Sequence, residues 1–336
     1  VPNLLFRNEG GGRFRDASAE SGVAAHAGKA LGVAFADFNG DRRIDMAVAN
    51  DSHPQFLFRN EGDGTLAEVG LEAGVAYNED GEEFAGMGVA FEDLDSDGLP
   101  DLLITTLSQQ RYAYFRNLGG ELFEYATDST GLGGLTRLLS GWGLAVADFS
   151  NDGRREVFFA NGHVMDNIER SQPHIRYLEP PLLAGFDGRR FVELPGGPTF
   201  AGAWASRGAA AVDFDNDGGL DLIVSNLDGR PDLARNTGPR GNWVGFRLRG
   251  CPSARDGYGA RLTLIGRDGR RQYATAGAAG SYLSSRDPRV FFGLGADDGA
   301  AALEIEWPSS RRTRLESPAA GRVVEVRESD EACTNR

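Results

Sequence analysis

The sequence predicts an all-β chain: a β-propeller of four repeated units and an N-terminal half unit, followed by a smaller β domain. Three observations predict it. A nine-residue acidic segment recurs at Asp37–Asp45, Asp93–Asp101, Asp148–Glu156 and Asp213–Asp221, with starts 56, 55 and 65 residues apart. Short apolar stretches flank every copy. Glycine makes up 47 of 336 residues, about twice the usual ~7%, which favours tight turns between short strands over long helices.

Each unit begins on a Gly-led strand: Gly32-Val-Ala-Phe-Ala, Gly88-Val-Ala-Phe, Gly143-Leu-Ala-Val-Ala and Gly208-Ala-Ala-Ala-Val. The acidic segment follows, and then a second strand, Met46-Ala-Val-Ala, Leu102-Leu-Ile-Thr, Val157-Phe-Phe-Ala or Leu222-Ile-Val-Ser. A third strand carries Phe58-Arg-Asn-Glu-Gly, Phe115-Arg-Asn-Leu-Gly and, weakened, Ala234-Arg-Asn-Thr-Gly; in the third unit Leu183-Ala-Gly-Phe-Asp-Gly takes its place. A fourth apolar stretch such as Leu66-Ala-Glu-Val closes the unit. Four short strands repeated at this period are the pattern of a propeller blade. Phe6-Arg-Asn-Glu-Gly puts the start of the chain in the second half of a unit, so either these strands complete the last blade and close the ring, or further blades precede them.

The acidic segments carry a metal chemistry. Side-chain oxygens at the first, third, fifth and ninth positions, with the seventh carbonyl, surround one point much as in the first part of an EF-hand loop. The expected ligands are Asp37, Asn39, Asp41, Arg43 (carbonyl) and Asp45; Asp93, Asp95, Asp97, Leu99 (carbonyl) and Asp101; Asp148, Ser150, Asp152, Arg154 (carbonyl) and Glu156; and Asp213, Asp215, Asp217, Gly219 (carbonyl) and Asp221. An all-oxygen set of this kind suits calcium, up to four ions. Magnesium demands stricter octahedral geometry, and zinc would want the His or Cys that these segments lack. A single such cluster is ordinarily just a turn; four copies in one phase are not. The third segment, with Ser150 for an acid and the longer Glu156, is expected to be the weakest. The first carries Arg42 where a turn glycine is expected.

Charge divides the chain. The formal net charge is −14, residues 1–239 carrying −18 and residues 240–336 carrying +4. This split, near Gly238–Gly241, marks the expected boundary between propeller and second domain. So acidic a balance argues against nucleic acid and anionic lipid as partners. No apolar run approaches the ~20 residues of a membrane span. His-Glu-x-x-His, Gly-x-Ser-x-Gly and phosphate-cradling glycine loops are all absent, and no catalytic residue is assigned.

These repeats resemble the FG-GAP/VCBS units of the integrin α-chain propeller. The whole chain is most similar to the cartilage acidic protein-like family, in which such a propeller precedes an ASPIC/UnbV domain. The second half of that resemblance rests on Asn242-Trp-Val, Arg255-Asp-Gly-Tyr-Gly-Ala-Arg, Gly280-Ser-Tyr-Leu-Ser-Ser, Asp287-Pro-Arg, Phe292-Gly-Leu-Gly and Glu306-Trp-Pro-Ser, in order. It implies a β-sandwich-like C-terminal domain and a calcium-binding, mostly extracytoplasmic protein: secreted, periplasmic or on the cell surface. Some relatives are encoded with enediyne-type natural-product genes and animal relatives are secreted matrix proteins, so the resemblance fixes fold better than function.

Cys251 and Cys333 could close a disulfide in an oxidising compartment; two free thiols are the alternative. Repeat phasing places His53, His163 and Asp228 on one propeller face, with Trp142, Trp204 and Arg207 close by, as a candidate ligand pocket; the alternative is that the rings pack between blades and the histidines cap turns. The insertion at 164–181 is the candidate partner-contacting loop. Three functions follow: a non-catalytic module binding a protein or glycan, an enzyme of specialised metabolism (lyase or cyclase) using the propeller funnel, or a subunit of a larger extracytoplasmic assembly.

Overall fold

In a computed structural model of the chain, residues 1–277 and 280–328 are described. β1 (Phe6–Gly10) and β2 (Arg13–Asp16) pair with each other in a hairpin turned by Gly10, Gly11 and Gly12, all in the left-handed region that glycine tolerates. Four antiparallel meanders follow. The first is β3 (Ala30–Ala36), β4 (Asp45–Asn50), β5 (Phe56–Asn60) and β6 (Leu66–Glu68); the second is β7 (Val89–Glu92), β8 (Asp101–Ile104), β9 (Ala113–Asn117) and β10 (Phe123–Tyr125). The third is β11 (Gly141–Ala147), β12 (Glu156–Asn161), β13 (Leu182–Phe186) and β14 (Phe191–Glu193). The fourth holds three strands, β15 (Ser206–Val212), β16 (Asp221–Asn226) and β17 (Asp232–Ala234). The all-β, propeller-type reading therefore holds. The suggestion that β1 and β2 complete the last blade does not, because the two pair only with each other, in a sheet separate from β15, β16 and β17.

Blade packs on blade through apolar faces. One buried cluster joins Ala34, Ala36 and Ala47 of the first meander to Phe91, Leu102 and Phe115 of the second; another joins Leu103 and Tyr114 to Leu144 and Phe159; a third joins Ala145 and Phe158 to Ala209 and Leu222. The Gly that opens each first strand makes this approach possible. A Cβ on Gly32 would stand 2.4 Å from the Met87 carbonyl oxygen, on Gly88 2.0 Å from that of Trp142, and on Gly143 2.6 Å from that of Arg207.

Residues after 241 form two further sheets, β21 (Val290–Gly295), β18 (Asn242–Arg249) and β24 (Arg322–Arg327) in one and β20 (Arg271–Thr275), β19 (Arg261–Ile265), β22 (Ala302–Glu306) and β23 (Arg312–Glu316) in the other. Val244, Phe246, Leu262, Leu264, Phe292, Ile305 and Trp307 are buried between them, which is a β-sandwich.

Candidate metal centres

In every blade the acidic segment is the hairpin between the first two strands, and its ninth residue is the first residue of the second strand: Ala36 pairs with Asp45, Glu92 with Asp101, Ala147 with Glu156 and Val212 with Asp221. Its curl comes from two left-handed residues per loop. The fourth positions are Gly40, Ser96, Asn151 and Asn216; the sixth are Arg42, Gly98, Gly153 and Gly218. This conformation lets the sixth amide donate to the first carboxylate, at 2.9, 3.0, 2.8 and 3.2 Å in chain order, and the seventh amide to the fifth.

The ninth carboxylate clamps the loop. It accepts the second-position amide (Phe38, Leu94, Phe149, Phe214) on one oxygen. In three blades its other oxygen accepts the backbone amide of Asn60, Asn117 or Asn236. Those asparagines are the last residues of the recurring Phe/Ala-Arg-Asn triplet, to which sequence reasoning gave no role. Their side-chain amides donate to the eighth carbonyl of the same loop, and those of Asn117 and Asn236 also to the second carbonyl of the preceding blade's loop, Phe38 and Phe149. Recurrence of the triplet was the signal. In the third blade, where it is missing, the Ser150 hydroxyl serves the Glu156 oxygen instead.

Among the described residues three of the four loops bring three carboxylates to one point, with ligand oxygens within 4.8 Å of one another: Asp93, Asp95 and Asp97; Asp148, Asp152 and Glu156; Asp213, Asp215 and Asp221. The Asp95 Oδ1 and Asp213 Oδ2 atoms are buried without a hydrogen-bond partner; Arg116 lies 3.7 Å from the other Asp95 oxygen and Arg289 3.6 Å from Asp213 Oδ2, and a metal ion would supply the direct contact the two buried oxygens lack. These all-oxygen sets fit a calcium ion. Burial pushes the Asp93 and Asp148 carboxyls up to about 6 and those of Asp45, Asp101 and Glu156 up to about 7. Asp101 and Asp217 stand outside their clusters. Asp101 is held by two amides and the Tyr114 hydroxyl, and Asp217 takes a two-pronged contact from Arg240 at 3.0 and 2.9 Å.

The loop at 37–45 differs. Each oxygen of Asp37, Asp41 and Asp45 accepts a hydrogen bond from a protein donor, including Arg261 on Asp37 and Arg43 with the Asn39 amide on Asp41. The expected order of the two doubtful loops is thus reversed in geometry: the carboxylates of 148–156 converge, and those of 37–45 do not.

Half of the expected ligand pocket comes together. The Arg207 guanidinium stacks on the Trp142 ring, 4.3 Å from its centroid, and donates to the carbonyls of Gly162 and His163. His163 is buried, which pulls its pKa down, and its Nδ1 accepts the Met165 amide. Trp204 bridges Glu179, whose buried carboxyl is pushed up to about 8. His53 lies elsewhere, bonded to the Ala27 carbonyl and edge-on to Phe56, and Asp228 is exposed. The insertion at 164–181 anchors itself through buried Ile168 and Ile175 and leaves Val164, Met165 and Leu178 exposed. Cys251 follows β18; Cys333 lies outside the described residues.

The inner strands are not left around an open funnel. Ser281 of the sandwich half exchanges backbone hydrogen bonds with Val89, accepts the Leu144 amide on its hydroxyl at 3.0 Å and donates to the Ala209 carbonyl at 3.0 Å. Tyr282 packs edge-on against Trp142, and the Ser284 hydroxyl and Tyr282 carbonyl lie against Gly208 where a next blade would stand. Beside this plug a cavity of about 790 Å³ opens between β3, β7, β19 and β20, walled by Phe35, Tyr258, Tyr273 and Arg271.

Residues 37–104 and 93–159 match the FG-GAP-like repeat, and residues 250–332 match the ASPIC and UnbV family. Cartilage acidic protein 1 of Homo sapiens is 28% identical over 315 residues, covering 89% of this chain and 43% of its own length. The Mus musculus protein is likewise 28% identical, over 316 residues and 44% of its length. The chain thus spans less than half the length of the relatives it matches. Among solved structures, an Agrocybe aegerita lectin described as recognising non-reducing terminal N-acetylglucosamine aligns at TM-score 0.39 and 18% identity, over 70% of this chain and 60% of that one. Among the described residues no helix is long and apolar enough to cross a membrane.

Proposed function

We propose that this chain, which carries FG-GAP repeats and an ASPIC/UnbV domain and is homologous to cartilage acidic protein 1, is a calcium-binding interaction module that works outside the cytoplasm. The observation that carries the calcium reading is a three-carboxylate cluster in each of three successive blades, two of them with a buried oxygen that accepts no hydrogen bond. Submicromolar cytosolic calcium would leave all but the tightest such sites empty, so an extracytoplasmic setting fits them, and it fits a Cys251–Cys333 bond as well. Two free thiols on alkylation of the intact denatured chain would sink that pairing.

Protein or glycan is the class of partner. Rigid loops on a metal-braced scaffold suit recognition, and the exposed apolar residues Val164, Met165 and Leu178 of the insertion offer contact area. Catalysis in a central funnel has less support, because the axis is filled by the chain's own Ser281 segment. The test is capture of partners from extracellular extract and on a glycan array, in calcium and in EDTA. Retention that depends on calcium and falls when 164–181 is replaced by a short linker supports the module. Calcium binding with no retention on either surface would overturn it.

A further inference from the structure

Each of the four acidic loops touches the C-terminal sandwich. On the first, Arg261 of β19 stands 3.3 Å from Asp37. On the second, the Tyr273 ring of β20 covers Gly98, a Cβ there coming within 3.4 Å of the ring. On the third, the amides of Gly241 and Gly295 donate to the Ser150 and Asn151 carbonyls at 2.9 and 2.8 Å. On the fourth, Arg289 donates to the Asp213 carbonyl at 2.6 Å and to the Asn216 side chain at 2.8 Å, and its charge lies 3.6 Å from the Asp213 carboxylate.

The contacts on the third and fourth loops use backbone carbonyls that point outward only while the loop is curled. At both, three carboxylates converge within 4.8 Å, so their repulsion opposes the curl, relieved at the fourth only in part by Arg235, 2.6 Å from Asp215, and Arg289, 3.6 Å from Asp213. The first loop meets less of that opposition, since its carboxylates do not converge, protein donors meet all their oxygens, and two arginines offset two of the three charges. From this we infer that the chain holds three calcium ions rather than four, that the first loop is a metal-free joint closed by Arg43 and Arg261, and that calcium in the other loops holds the sandwich against the propeller. The inference rests on the calcium reading above and adds to it a partner for the metal face: the chain's own C-terminal half.

The experiment uses the whole chain in two measurements. Equilibrium dialysis against calcium counts bound ions, and amide hydrogen exchange in calcium and in EDTA follows the Gly241, Ser281 and Gly295 amides, with the Arg42 and Asn60 amides of the first loop as internal reference. We expect three ions per chain, and in EDTA at least tenfold faster exchange at Gly241, Ser281 and Gly295, with the Arg42 and Asn60 amides changed less than threefold. Arg261→Met should leave the count at three and, in EDTA, speed exchange at the reference amides. Four ions in the wild type would overturn the metal-free joint. Three ions with unchanged exchange at Gly241, Ser281 and Gly295 would overturn the coupling while leaving the calcium reading intact, and no bound ion would overturn both.

Discussion

Gly88 and Trp142 touch where no side chain could fit: a Cβ on Gly88 would stand 2.0 Å from the Trp142 carbonyl oxygen. That oxygen already accepts the Thr105 hydroxyl at 2.8 Å, so it cannot move aside without breaking a buried bond. Gly88→Ala should therefore cost about 3 kcal/mol, at the upper end for overpacking. Gly134→Ala, with nothing within 4 Å of its Cβ, should be neutral or gain up to about 1 kcal/mol. Urea denaturation of the two variants checks the contrast; equal midpoints would contradict blade contact at Gly88.

Calcium should raise the melting temperature. A ligand that binds the folded state alone stabilises by about 2.7 kcal/mol per site at a free concentration a hundredfold above Kd. Asp95→Asn and Asp213→Asn, which remove charge from the two clusters with unsatisfied oxygens, should each shrink the calcium-induced shift. Differential scanning fluorimetry with calcium or EDTA measures it, and identical melts in the two conditions would refute metal binding at these loops.

Acid and calcium should act in opposite directions. Folded Asp93 and Asp148 titrate near 6, and Asp101 and Glu156 near 7, above the ordinary 3.8 and 4.5, because burial disfavours their charge. The metal-free folded chain then binds protons more tightly than the unfolded one, and the stability this confers is lost as pH rises through 6 to 7. In EDTA the melting temperature should be higher at about pH 5.5 than at about pH 8; in saturating calcium, where protons compete for the ligands, the calcium-induced shift should be larger at about pH 8. A calcium shift that grows on acidification would contradict the ligand assignment.

Asn117→Ala should be more damaging than Asn60→Ala. Asn117 donates to the Pro100 carbonyl of its own loop and the Phe38 carbonyl of the neighbouring blade, whereas Asn60 donates to Ile44 alone. At about 1–3 kcal/mol per buried carbonyl left without a donor, the first should cost about 2–4 kcal/mol and the second about half. Chemical denaturation ranks them, and the reverse order would show that the interblade bond contributes nothing.

The repeat made most of the propeller legible, since a loop whose fourth and sixth residues must be left-handed can be spelled in few ways. Arg42 is the instructive exception. It adopts the conformation that glycine takes in the other three loops, and in the same loop arginines replace the missing carboxylate convergence. The second task of the ninth carboxylate had no signal in the loop itself, whose spacing says nothing of the amides that reach it from β5, β9 and the segment after β17; Glu156 and Asp221 still join their clusters, whereas Asp101 does not. The docking of Ser281 had no local signal at all: its partners at Leu144 and Ala209 lie 137 and 72 residues away, on different blades. His53 and Asp228 were placed by repeat phasing, which carries no information on side-chain direction; His53 turned to the Ala27 carbonyl instead.

The Ser281 segment also sets an order of assembly. Its backbone bonds go to β7 and its hydroxyl bonds to β11 and β15, so the full set forms only once the three strands stand side by side. During synthesis the blades emerge first and can collapse pairwise through contacts close in sequence, whereas the segment must wait for three of them and then enter along their shared axis. The final step of maturation is then a concerted insertion. Its rate should track the slowest of those three blades to form, so a lesion in any one of them would delay locking of all three.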